Sequence, residues 1–163
     1  MRKIFCFILP VIIILSLLGC GKKGDDASVP VEVFFRNAAE VYNNEEAIIK
    51  PEIWDFDGYE NDLQGFLNLY LLGPVTDESI SPFPANVQIV ALQSIDDRLC
   101  ITLSEPYNEL TGLDLTIASA CIAKTAMGLT GCDVVEITSL NAASSIVMDR
   151  EILLLLDDSS PNQ

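Results

Sequence analysis

From Ile4 to Leu18 the chain is apolar apart from Pro10 and Ser16, and this run decides how much of the chain is left to fold. It follows Arg2 and Lys3 and ends on Gly19-Cys20. A basic start, an apolar middle and small residues at the cut mark a secretory signal. Its 15 residues fall short of the roughly 20 that a helix needs to cross a bilayer. With residues 1–19 removed, 144 of the 163 remain, enough for one domain and hardly for two.

The close of the run, Leu17-Leu18-Gly19-Cys20, resembles the bacterial lipobox. That resemblance implies cleavage before Cys20 and a diacylglyceryl thioether on its sulfur, with fatty acyl groups of the palmitate type. Each buried methylene contributes about 0.8 kcal/mol, so two acyl chains anchor stably where one binds marginally. Gly21–Ser28 is small, charged and aperiodic, and residues 20–29 read as a tether. The expected location is the extracytoplasmic face of the cell membrane, with the lipid bilayer as first partner. Cys6 leaves with the signal.

Charge narrows the other partners. The formal net charge of −15 becomes −17 once Arg2 and Lys3 are cleaved away. Such a surface excludes docking on nucleic acid or on an anionic bilayer. Cys100, Cys121 and Cys132 allow at most one internal disulfide, none forms a C-x-x-C pair, and histidine is absent from the sequence. A zinc site here would need carboxylates to complete its shell. The three cysteines therefore read as small hydrophobes, and no metal, cofactor or catalytic residue is assigned.

Periodicity gives the elements in order. Val31–Phe35, β-branched and aromatic, reads as a strand stopped by Arg36-Asn37, and Asn43–Glu46 as an exposed turn. A second extended piece over Ala47–Phe56 contains Pro51 and belongs at a sheet edge. Asp55-Phe56-Asp57-Gly58 departs from the calcium-loop pattern, with Gly58 too early and Phe66 at the twelfth place, so a solvated turn is expected. Leu63, Phe66, Leu67, Tyr70 and Leu71 form one helical stripe, capped by Asn61 with Gln64 and ended by Gly73-Pro74. Val75–Asn86 reads as a loop. Val87–Ile95, the turn Asp96-Asp97 and Leu99–Leu103 then form a hairpin with Leu99, Ile101 and Leu103 facing the core.

Ser104–Asn108 begins a loop closed by Gly112. A second helix is expected from about Leu113 to Leu129, with Leu115, Ala118 and Ile122 on its packed face and Ser119 and Lys124 off it. Val134–Ile137, Ser145–Met148 and Ile152–Leu156 read as extended, and residues 158–163 as a frayed tail. The class implied is α+β, two amphipathic helices packed on a mainly antiparallel sheet, in a single domain over residues 30–157.

This order of signals, with Leu71-Leu72-Gly73-Pro74, Ile101-Thr102-Leu103-Ser104, Ile122-Ala123-Lys124-Thr125 and Thr130-Gly131-Cys132-Asp133-Val134-Val135-Glu136-Ile137, resembles the GerM (GerMN) domain of sporulation and germination lipoproteins. Thr102 and Ala126 stand where that pattern has Asp and Leu. The resemblance implies a lipid-anchored, non-enzymatic module that assembles with envelope proteins. Two other readings compete. A cell-wall hydrolase would need two carboxylates about 5–10 Å apart across a cleft. A sugar-binding lipoprotein would need exposed aromatic platforms, for which Trp54 is the lone tryptophan. Trp54 is expected instead to pack at the sheet edge.

The anchor gives the first prediction. In cells fed labelled palmitate, the wild-type chain is expected to take up label and to enter the detergent phase on phase separation. Cys20→Ser is expected to do neither; wild-type protein recovered unlabelled in the aqueous phase contradicts the assignment.

Overall fold

The computed structural model describes residues 29–39 and 47–158. Residues 1–19, Cys20 and the tether up to Ser28, the Asn43–Glu46 turn and the tail beyond Asp158 lie outside the described residues.

Two sheets and three helices form the domain, so the expected α+β class is the class observed. In chain order the elements are β1 (Pro30–Asn37), β2 (Ile49–Asp55), α1 (Leu63–Tyr70), β3 (Ser79–Ile80), β4 (Ile89–Ile95), β5 (Arg98–Leu103), α2 (Gly112–Thr130), β6 (Val134–Ser139), β7 (Ile146–Asp149) and α3 (Arg150–Asp158). The first sheet has the order β2-β1-β3 and is antiparallel. The second has the order β4-β5-β6-β7, with β5 and β6 parallel and the other pairs antiparallel. The parallel pair follows from connectivity: α2 carries the chain from the end of β5 back to the start of β6, as a crossover requires.

Helix α2 is the shared core of both sheets, packing against β1 on one side and β6 and β7 on the other. Ala118, Ala120, Ala123 and Ala126 are fully buried, and these small side chains let backbones from two directions approach the helix. Its 19 residues are long and apolar enough to cross a membrane, yet more than half are buried inside the domain. An all-round apolar helix of this kind is the buried centre of a fold. Gly131, left-handed at φ 74°, ends it and returns its N–H to the Met127 carbonyl.

Helix side chains also finish the strands. Phe34 turns its amide and carbonyl away from β2, toward the side on which β3 pairs only with Arg36 and Asn37. The Phe34 amide donates to Thr125 Oγ1 of α2 at 2.9 Å, and its carbonyl accepts from Tyr70 Oη of α1 at 2.6 Å. At the edge of the other sheet, the Ile89 amide donates to Asn68 Oδ1 at 2.7 Å and its carbonyl accepts from Gln64 Nε2 at 3.1 Å. Gln64 and Asn68 are one turn apart on α1, so a single helical face meets both backbone groups of one residue. Strand-edge groups with no strand beside them are thereby satisfied.

Several expectations hold: β2 with Pro51 is an edge strand, Asp96-Asp97 turns the hairpin, and Leu99, Ile101 and Leu103 are buried. Others are corrected. Asp62, not Asn61, caps α1, its Oδ1 accepting from the Gly65 amide at 2.9 Å, while Gln64 is used by Ile89. Ser119 is buried, because its hydroxyl donates to the Leu115 carbonyl at 2.7 Å and meets Tyr107 Oη at 2.8 Å. The Val75–Asn86 loop contains β3, which pairs with Arg36 and Asn37. The Ser104–Asn108 stretch winds into a 3-10 turn over Glu105–Glu109. Ile152–Leu156 lies in helix α3 and is not extended: Asp149 Oδ1 accepts from the Ile152 amide at 2.8 Å in the manner of an N-cap, and Leu153 is buried.

Thr125→Val keeps the shape of the side chain and leaves the Phe34 amide without its acceptor. Urea unfolding is expected to show a loss of about 1–3 kcal/mol, and an unchanged midpoint contradicts the role given to Thr125.

Candidate functional site

Glu52 is the buried carboxylate among the described residues, with 7 % of its surface exposed. It sits on β2, inward-facing like Trp54, and its carboxylate gathers three donors: Trp54 Nε1 at 3.0 Å, the Val75 amide at 3.2 Å and Thr76 Oγ1 at 2.6 Å. Burial pushes its pKa up, but these hydrogen bonds more than offset it and hold the carboxyl below its ordinary value. A carboxylate so committed is a fixed anion that ties the loop after α1 to the sheet edge; it is poorly suited to carry a proton in catalysis. Trp54 packs as expected at the edge, its ring 5.8 Å from Phe35 and 6.2 Å from Phe66.

The cysteines stay apart as free thiols, Cys121 buried and Cys100 and Cys132 half-buried. Burial pushes the Cys121 thiol well up, which makes it an inert part of the core. Tyr107, paired with Ser119, is likewise pushed up to about 12 by burial. The Asp55–Gly58 segment is a turn in which Asp55 Oδ1 accepts from the Asp57 amide at 3.0 Å and Gly58 takes φ 82°.

The surface is dominated by acid. The described residues carry nineteen carboxylates and five Lys or Arg side chains, and each of the five has a partner. Arg36 pairs with Asp114 at 3.2 Å, Arg98 with Glu136 at 2.6 Å, Arg150 with Asp133 at 2.6 Å, and Lys50 with Glu78. Lys124 lies 5.0 Å over the Phe34 ring.

An open groove beside Arg36 combines apolar walls with charge. It encloses about 340 Å³ between the segment Ile80–Pro84 and the start of α2, with Arg36, Glu109 and Asp114 on its sides. Phe83 is buried beneath it, 5.1 Å from Tyr70 and 6.3 Å from Phe35. The Phe83 amide donates to Ser81 Oγ at 3.3 Å, and Pro82 and Pro84 fix their own φ angles, so this wall is preformed. Glu109 and Asp114 are both exposed and sit together by the fold alone; sequence reasoning singled out neither. Their only sequence signal is an acidic pair beside Gly112, too common to pick out.

No protein-family model matches the sequence, and no curated protein does. Among solved structures the chain is similar to the tandem GerMN domains of the sporulation protein GerM from Bacillus subtilis, at a TM-score of 0.55 and 16 % identity, over 76 % of this chain and 43 % of that one. It thus spans less than half of that tandem structure. A Clostridium perfringens protein described as a candidate lipoprotein aligns at a TM-score of 0.43 and 18 % identity, over 76 % of this chain and 89 % of that one. The fold is GerMN-like, as the motifs implied.

Glu52→Gln puts an amide N–H₂ among three donors and is expected to cost about 1–3 kcal/mol at neutral pH. Because the folded carboxyl titrates below its unfolded value, the wild-type advantage is full above the unfolded pKa of about 4.3 and shrinks as pH falls through the folded one. Unfolding midpoints that differ equally at pH 7 and at pH 3 contradict the anchor role.

Proposed function

We propose that the chain is a lipid-anchored, non-enzymatic assembly module of the cell envelope, held at the outer face of the membrane by acylated Cys20 and working by contact with other envelope proteins. The observation that carries this reading is the conjunction, in one chain, of the lipobox-like Leu17–Cys20 with a fold similar to that of a sporulation protein. Sporulation or germination is the proposed setting.

The chemistry supports contact over turnover. Glu52 is saturated by donors, and the carboxylates of the open groove are exposed, one of them paired with Arg36. The acid excess supports a partner that is itself a protein, since phosphate backbones and anionic headgroups are repelled.

Crosslinking in intact cells, followed by purification of the full-length protein from membranes, is expected to recover the same envelope protein repeatedly from the wild type and not from Cys20→Ser. Turnover of peptidoglycan fragments by the purified protein overturns the reading.

A further inference from the structure

Val29 and the groove sit at opposite ends of β1. Val29, the first described residue, leads into the strand, and its carbonyl accepts from the Phe56 amide at 3.0 Å. The chain therefore enters beside the Asp55–Asp62 segment, where Asp55, Asp57, Glu60 and Asp62 are all exposed. Arg36, seven positions on, reaches the groove, and Ile80 pairs with it in register. At about 3.3 Å per residue the two ends are about 23 Å apart. An anchor attached ahead of Val29 would leave the groove at the far end of β1 from the point of attachment.

Resting on the assembly reading, we infer that this groove is the docking surface and that it takes an extended segment of an envelope protein bearing Lys or Arg between apolar residues. Charge complementarity selects that occupant. The groove's own cation, Arg36, is already paired with Asp114, while Glu109 lies exposed on the same side. An incoming cation meets Glu109 and joins the Arg36–Asp114 pair at its carboxylate; an incoming anion meets the acid excess. Apolar side chains find Ile80, 39 % exposed on the rim, and Phe83 and Ile117 beneath. Phe83, the aromatic lining the groove, is buried and offers no face on which a sugar ring could stack.

The test uses the full-length acylated protein in a non-ionic detergent. The probes are two fluorescent seven-residue peptides, one alternating Lys with Val and the other Glu with Val, followed by anisotropy. The Lys peptide is expected to bind and the Glu peptide not to. Glu109→Lys is expected to weaken binding about tenfold, since like charges then face each other. Glu60→Lys, at the Val29 end, is expected to change it less than twofold. Equal weakening by both, or no binding of the Lys peptide, overturns the groove. A photo-crosslinking residue placed in cells at Ile80 and, separately, at Val147 on the other sheet separates this from the broader reading. Crosslinks from Val147 alone sink the groove and keep the assembly module; crosslinks from neither sink both.

Discussion

The fold depends on a backbone amide and carbonyl at Phe34 that no strand is placed to meet. A strand there would have closed the first sheet by ordinary pairing, but β3 reaches only Arg36 and Asn37. Thr125 and Tyr70 supply the missing acceptor and donor, and by doing so fix α2 and α1 against the sheet. An unmet buried backbone group costs about 1–3 kcal/mol, whereas an exposed ion pair contributes about 0–1. The four ion pairs named above therefore matter less to the architecture than these two hydrogen bonds and their counterparts at Ile89. Once α2 is fixed along β1, its other side is left to cover β6 and β7, and two small sheets become one domain.

Much of this was legible in local pattern. The stripe from Leu63 to Leu71, the alternation over Leu99–Leu103 and the proline in β2 each depend on residues near one another in sequence, and the structure keeps all three. What escaped was decided at long range. Ser119 reads as a polar break in a helical face, yet a hydroxyl buried beside Tyr107 is satisfied where a charge would not be. Gln64 looks like half of a capping box but is used by Ile89, 25 positions away. Ile152–Leu156 has the composition of a strand, and only the Asp149 cap and the docking of Leu153 make it helical. The groove was invisible for the same reason: Arg36, Ile80, Glu109 and Asp114 converge from separate elements.

Charge organises what remains. With each described cation engaged and carboxylates in large excess, the described surface carries a strong negative charge. Such a charge keeps the domain off anionic lipid and raises encounter rates with basic partners. In the groove beside Arg36 that acid meets apolar walls held by Pro82 and Pro84. Glu52 belongs to a different layer of the design: its charge is spent inward, holding the exit of α1 in place.

Native-state hydrogen exchange at individual amides tests the central claim most directly. If helix side chains close the strand edges, the Phe34 and Ile89 amides exchange only with global unfolding, as slowly as the amide of Ile101 in the middle of β5. If both exchange at the rate of open strand edges while Ile101 stays protected, the helices do not complete the sheets and the account fails.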